Sequence, residues 1–304
     1  MASQPPPKPT SWQDDLLPCY LHKPSERPIV AERFLHRLNL CEAWSIPPGS
    51  HILDIGCGQG ESALVLASQT GPAGHVTGID TAPPGYGGPY TLLQAQAHIA
   101  ASPLGSRITF LATDAPSLLA ASPQPRFGCA ILCHSLWYFP SAQTISSLFS
   151  RLAEARITRL CLAEYTGVAR TPEQEAHALA AAAEALLIAS RRPRERIQDW
   201  NVRTALSPGE ILQLAGESGW RVEREGVLEA PEGLVDGWRE AGVVRSRVFE
   251  EAVKEEGLEG GVEERLLGMA RRVGGLCEEV ERGEGKVRCM DVFWAVLTLE
   301  GGME

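Results

Sequence analysis

No stretch of the 304-residue chain approaches the roughly 20 consecutive apolar residues that a membrane-spanning helix requires. The opening MASQPPPKPT lacks the cationic head and apolar core of a secretory leader. Together these absences predict a cytoplasmic protein with no membrane partner. Positive charge is also scarce: 28 Lys and Arg against 38 Asp and Glu leave a formal net charge of -10. General affinity for nucleic acid backbones needs a basic footprint, so no nucleic acid partner is expected. The one concentrated basic stretch, RRPRER at Arg191 to Arg196, reads as a solvated face closing a helix, where cations meet the negative end of the helix dipole. Paired cysteine motifs are missing as well. The eight cysteines, at 19, 41, 57, 129, 133, 161, 277 and 289, include no CxxC, and several lie in apolar runs such as CAILCHS and RLCLAEY. That pattern predicts buried free thiols rather than disulfides or zinc, and no metal is expected.

What the chain does have is the composition of a globular protein, 44% hydrophobic, at a length that suits one large domain. SERPIVAERFLHRLNLCEAW, Ser25 to Trp44, has helical periodicity, with Ser25 as its cap and Ile29, Phe34, Leu35, Leu38 and Leu40 available to one side. Pro47, Pro48 and Gly49 break that pattern. From there strand-like and helix-like segments alternate. HILDIG, HVTGID, RITFLATD, CAILCHS and RLCLAEYT read as strands, with helical patterns in SALVLASQT, TLLQAQAHIAAS and AQTISSLFSRLAEA. Two further helices are expected, over Pro172 to Arg191 and from Ser207 to Gly219, the second opened by the capping signal SPGE. WRVEREGVLEA and MDVFWAVLTLE complete seven strands. Alternation of this kind, with near-continuous apolar strands, predicts an α/β fold: a doubly wound, mostly parallel, seven-stranded Rossmann-like sheet. Residues 1–45 form an N-terminal tail and lid helix, and 46–304 the main domain, with helical cap insertions near 167–219 and 231–286. In the second insertion Leu258, Val262, Leu266, Leu267, Met269, Val273 and Leu276 mark an amphipathic helix that packs on the main domain.

The chemistry concentrates in HILDIGCGQGESALVLA, His51 to Ala67. Gly56, Gly58 and Gly60 stand between a strand and a helix, where glycine lets a ligand approach the backbone and the helix start offers unpaired N–H groups. A nucleotide-like ligand suits such a turn. The spacing is GxGxG rather than the dinucleotide GxGxxG, no Gly-Lys-Ser/Thr follows, and Asp54 inside the strand would repel a pyrophosphate. A carboxylate there suits a ligand that carries an amino group and a sulfonium charge.

LDIGCGQG resembles the first motif of class I S-adenosylmethionine-dependent methyltransferases, and the resemblance continues through Thr166. It implies that Asp80, ending VTGID, accepts hydrogen bonds from both ribose hydroxyls. It implies too that Asp114 and Ala115, in FLATDA, receive the adenine, and that Cys57, Thr81 and Cys133 complete the cofactor set. Asp54 either reaches the amino acid part of the cofactor or braces the glycine turn. The Gly/Pro loop TAPPGYGGPY, with TLLQAQAHIAASPLGSRITF and CHSLWYFP, looks like fungal small-molecule methyltransferases. Gly128 stands where the family often has an aspartate, which affects a turn more than a cofactor contact.

Such a sheet binds ligands beyond the carboxyl ends of its strands. The loops after strands four and five therefore supply acceptor-site candidates: Trp137, Tyr138, Glu164 and Tyr165. His134 is the first candidate base, since its ordinary pKa is near neutrality, although it could instead pack beside the cofactor. Trp137 and Tyr138 could equally belong to the core. Within WQDDLLPCYLHKPSERP, where the family's lid lies, Tyr20 joins His134 as a catalytic candidate, with His22 beside it. His177, Asp199, Trp200 and Asn201 flank the first cap insertion.

The leading expectation is S-adenosylmethionine-dependent methylation of a small molecule, a secondary metabolite taking the group on oxygen or nitrogen, by a monomer or homodimer that releases S-adenosylhomocysteine. Base methylation is disfavoured, because CHSLWYF replaces the Asp/Asn-Pro-Pro-aromatic turn. The short segment before His51 likewise disfavours the larger O-methyltransferases with a dimerisation domain. A fold that keeps the cofactor but acts as a cyclase or a regulator is the alternative.

Overall fold

The computed structural model describes residues 11–121, 127–191 and 200–299. The seven strands are β1 (His51–Ile55), β2 (His75–Asp80), β3 (Ile108–Ala112), β4 (Cys129–Cys133), β5 (Arg159–Tyr165), β6 (Trp220–Leu228) and β7 (Val292–Leu299), in the spatial order β3-β2-β1-β4-β5-β7-β6. β1 to β5 pair in parallel, and β7 runs antiparallel between β5 and β6. The chain winds outward from β1 to β3 and then returns to β4 on the other side of β1. Connections leaving the carboxyl ends of β1 and β4 therefore diverge to opposite directions and open a crevice between them.

Alternate residues of each strand feed two apolar layers. Ile52, Val76, Ile131 and Cys161 pack with α2 (Arg27–Trp44) and α3 (Glu61–Thr70). Leu53, Ile79, Leu132 and Leu162 pack with α6 (Ala142–Glu154) and α8 (Pro208–Glu217). A third cluster joins α7 (Pro172–Ser190), α9 (Asp236–Val244), α10 (Arg247–Glu255) and α11 (Val262–Arg282) through Leu187, Phe249, Leu266 and Val273, and forms the helical cap. Trp200 packs edge-on against Phe249 there, with ring centroids 5.4 Å apart. All eight cysteines are buried and free.

Three local readings change. A 3-10 turn over Pro24–Glu26 leads into α2, and Glu26 rather than Ser25 stands at the helix cap. The buried residues of α2 are Val30, Phe34, His36, Leu40, Cys41 and Trp44, while Ile29 and Leu35 are exposed. The helix is covered on more than one side, by α3 and by β7, so no single apolar stripe describes it. β3 and β6 are the sheet edges and expose much of their length, whereas the interior strands are nearly sealed. In the basic stretch only Arg191 is described, and its guanidinium pairs with Glu256 at 2.9 Å; 192–199, including Asp199, lie outside the described residues.

Candidate active site

β1 delivers the glycine turn to the crevice. The Gly56 and Cys57 N–H groups donate to the Ile79 carbonyl of β2 at 2.9 and 3.0 Å, and the Gly58 N–H donates to Asp80 Oδ2 at 2.8 Å. Asp80 Oδ1 accepts from the Ala82 N–H, also at 2.8 Å, so this one carboxylate fixes both the glycine turn and the start of the next loop. Gly58 and Gly60 have left-handed φ angles of 53° and 93° for different reasons. A Cβ on Gly60 would stand 2.6 Å from Ile99 Cδ1 and 2.8 Å from Phe110 Cζ, whereas one on Gly58 would meet nothing within 4 Å. Gly60 therefore serves packing, and Gly58 presents bare backbone to open space. Gly60→Ala should lower unfolding stability by about 2 kcal/mol, combining backbone strain with overpacking. Gly58→Ala should cost about 1 kcal/mol in stability and fall mainly on ligand affinity. Denaturant midpoints and ligand titration on the pair separate the two roles.

Asp54 lies beneath the turn, 1% exposed. Its Oδ2 accepts from Ser62 Oγ at 2.7 Å, while Oδ1 has no partner among the described residues. Burial raises its pKa to about 6 against the opposing effects of the Ser62 bond and Arg37. Cys57 and Cys133 are buried, and burial pushes the Cys133 thiol up to about 12, so they pack beside the turn as inert thiols. Asp114 caps α5 (Ala115–Ala120) by accepting from the Ser117 N–H at 2.7 Å, which holds its exposed carboxylate below the usual range. Ala115 is buried and Thr81 exposed.

The N-terminal segment reaches this turn directly. α1 (Trp12–Leu16) and the 3-10 turn after it bury Leu16, Leu17, Cys19 and Tyr20. The Tyr20 hydroxyl donates to Gln59 Oε1 at 2.9 Å, and Gln59 Nε2 donates to the Tyr90 carbonyl at 2.6 Å. A side chain within the glycine turn thus ties the N-terminal segment to the Gly/Pro loop. Burial, ahead of the opposing Arg33 and Arg37 charges, raises the Tyr20 pKa and keeps the phenol a donor. His22 turns back on the Tyr20 carbonyl at 2.7 Å. Arg33 and Arg37 of α2 both pair with Glu61, the first residue of α3. Tyr86 of the Gly/Pro loop donates to Asn201 Oδ1 at 3.3 Å, which links that loop to the cap.

On the other side of the crevice, His134 follows β4 with a left-handed φ of 53°, a strained angle for a side chain of this size. Its N–H donates to the Ala163 carbonyl at 2.8 Å. Its Nε2 lies 2.9 Å from His36 Nε2, and its Nδ1 lies 3.6 Å from Glu164 Oε1. Glu164 is buried and accepts from the Trp137 and Tyr165 N–H groups at 3.2 and 3.1 Å. Trp137 is core, and its indole donates to the Leu206 carbonyl at 3.0 Å. Tyr138 differs. It keeps 47% of its surface accessible. The Tyr165 hydroxyl donates to Asp236 Oδ2 at 2.8 Å, and its ring meets His177 edge-on at 4.7 Å. Burial would raise the Asp236 pKa, but the Tyr165 bond with Arg33, His134 and Arg37 outweighs it, so the net shift is downward. His177 is fully buried behind Tyr165, accepts from the Met290 N–H at 2.9 Å and faces Glu240 Oε2 at 2.7 Å.

The structure thus gathers Tyr20, through Gln59, with Gly58 and Asp80 at the glycine turn, Asp54 beneath it, and His134, Glu164 and Tyr165 together at the ends of β4 and β5, while Asp114 caps α5 separately. Sequence reasoning missed His36, Arg33, Arg37 and Gln59, together with Asp236 and Glu240 from the cap. A polar residue among the inward positions of α2 was the signal for His36; nothing local marked the cap carboxylates.

A glycine turn after β1, an acidic residue ending β2, and an antiparallel β7 inserted between β5 and β6 define the class I methyltransferase fold. Residues 52–155 match a family described as a methyltransferase domain. Methyltransferase phomM of Diaporthe leptostromiformis is 38% identical over an alignment of 328 residues, covering 88% of this chain and 84% of that protein. The chain belongs to the S-adenosylmethionine-dependent methyltransferase family. Among solved structures, a cyclopropane-fatty-acyl-phospholipid synthase-like protein from Lactobacillus casei is similar at TM-score 0.79 and 31% identity, over 94% of this chain and 98% of that one. The cyclase SpnF shares the fold alone, at TM-score 0.50 and 14% identity over 88% of this chain and 80% of that one.

Proposed function

We propose that the protein methylates a small molecule, on oxygen or nitrogen, in the cleft between the glycine turn and the helical cap. Residues 1–45 act as tail and lid, and the helices near 167–219 and 231–286 as the cap that selects the acceptor. The observation that carries the reading is convergence: Tyr165 at the end of β5 bonds Asp236 of α9 and packs on His177, which faces Glu240 of the same helix, while Tyr86 of the Gly/Pro loop reaches Asn201.

The residues fit the cofactor on two points. Asp54 Oδ1 is a buried acceptor without a partner among the described residues, suited to an ammonium group, and Gly58 leaves its side of the turn open. Asp80 would hold the ribose, Asp114 and Ala115 the adenine, and Gly56, Cys57, Gly60, Thr81 and Cys133 would shape the surrounding wall. When bound, the cofactor supplies a methyl group already activated by its sulfonium. The chain's task is then alignment and, for a protonated acceptor, removal of a proton. That proton leaves on the His134 side of the cleft, while Tyr20 positions Gln59. The protein works in the cytoplasm as a monomer or homodimer. Among the described residues no helix is long and apolar enough to cross a membrane.

The test is to incubate the protein with methyl-labelled S-adenosylmethionine and an extract of cellular metabolites and to resolve the products by mass. A small product heavier by one methyl group supports the reading. Label found only in macromolecules, or an isomer of unchanged mass, overturns it.

A further inference from the structure

Two arginines of α2 reach the start of α3, beside the glycine turn. Arg33 and Arg37 both pair with Glu61, the second through Nη2 at 2.8 Å, and Arg37 Nη1 donates to the Arg33 carbonyl at 3.2 Å. Glu61 is the first residue of α3 and follows Gly60 directly. The next residue, Ser62, donates to Asp54 Oδ2 at 2.7 Å. Consecutive residues of one helix turn therefore hold the two guanidiniums and the Asp54 carboxylate. The fields of both arginines also reach Tyr20, whose hydroxyl bonds Gln59 within the turn, and Asp236, which takes the Tyr165 hydroxyl at the end of β5. The pair thus lies along the crevice at the carboxyl ends of the strands.

Charge and access are unbalanced there. Two guanidiniums share one carboxylate, so the group keeps a net positive charge. The Arg33 and Arg37 side chains are 25% and 16% exposed against 6% for Glu61, so the anion is covered and the cations are open. Arg37 Nε has no hydrogen-bond partner among the described residues, and neither has Asp54 Oδ1. Incompletely used donors and an incompletely used acceptor, bracketing one helix turn, match a ligand group that carries an anion and a cation together. An α-amino acid group carries both on a single carbon.

We infer that Arg33 and Arg37 form a carboxylate subsite and that, with Asp54, they read both charged ends of the cofactor's amino acid portion. The inference rests on the methyltransferase reading of the cleft. Guanidinium N–H groups match the two oxygens of a carboxylate, and the positive end of the α3 dipole favours an anion at the same place. Glu61 stays beneath the arginines as their counter-charge, so the pair is held in position before a ligand arrives. The ammonium goes to Asp54 Oδ1 on the other side of the turn.

Calorimetric titration with S-adenosylhomocysteine and with its analogue lacking the carboxylate tests this without turnover. Wild-type protein should bind the truncated ligand about 100-fold more weakly, since the loss leaves charged donors unpaired. Arg37→Gln should bind S-adenosylhomocysteine about 30-fold more weakly than wild type and the truncated ligand within about threefold of it. Arg37→Lys keeps the charge beside Glu61 and guards against misfolding. It lacks the planar fork and should lose about tenfold for S-adenosylhomocysteine alone. Wild-type protein that binds both ligands equally overturns the inference, as do folded variants that weaken both ligands by the same factor, and either result leaves the cofactor reading standing. Folded wild-type protein that binds neither ligand contradicts the cofactor reading itself.

Discussion

Asp80→Ala is expected to weaken S-adenosylmethionine binding by about 100-fold, because hydrogen bonds to a charged acceptor contribute roughly 1.5–3 kcal/mol each and this carboxylate makes more than one. Two of those bonds already exist: Asp80 holds the Gly58 and Ala82 N–H groups, each at 2.8 Å. Alanine would release the turn and the following loop together, in addition to removing the acceptor proposed for the ribose hydroxyls. Asp80→Asn keeps one acceptor oxygen in the same place and should lose about tenfold. Equilibrium dialysis against labelled cofactor, with circular dichroism to confirm folding, gives the comparison. Equal affinity for wild type and Asp80→Ala would mean that the ribose sits elsewhere.

The second large effect concerns Asp54. Its pKa in the folded protein is about 6, against an ordinary aspartate value of 3.8, and burial is the main cause. The folded state therefore binds this proton more tightly than the unfolded chain does. Its contribution to stability is fully present below about pH 4 and is lost as pH rises through about 6, a change on the order of 3 kcal/mol. Asp54→Asn should remove that pH dependence, visible as a shallower difference in unfolding free energy between pH 4 and pH 7. Cofactor affinity runs in the opposite direction. An ammonium offered to Oδ1 favours the ionised carboxylate, so affinity should rise about tenfold per pH unit until pH 6 and then level off, with one proton released per binding event below that point. Asp54→Asn should bind about 100-fold more weakly at pH 7 and show no such limb. If the variant and the wild type share one pH profile, Asp54 braces the turn and does not contact the ligand.

The sheet was legible because its interior strands are buried on both faces. HILDI, CAILC and RLCLAEY are apolar runs for that reason, and glycine, proline or a helical pattern bounds each of them. Ser207 and Glu210 form the capping box that SPGE announced, and α8 begins there. The glycine turn and Asp80 were legible because they are local: one short segment both makes the loop and carries its chemistry. The acceptor side is not local. His36 is an inward residue of a helix that reads as amphipathic, yet it meets His134, which lies 98 residues further along the chain. Asp236 reaches Tyr165 across a separation of 71 residues, and only the docking of the cap on the strand ends brings the two together. Tyr138 and Trp137 are adjacent in sequence, but one is exposed and the other joins the core, a division set by the backbone path after His134 rather than by composition.

The central claim is that the turn between β1 and α3 holds S-adenosylmethionine. A calorimetric titration of S-adenosylmethionine and S-adenosylhomocysteine into the wild-type protein at pH 7 tests it most directly. The account predicts one site per chain, micromolar affinity for both ligands, and loss of both isotherms in Asp80→Ala. Folded wild-type protein that takes up neither ligand would contradict it.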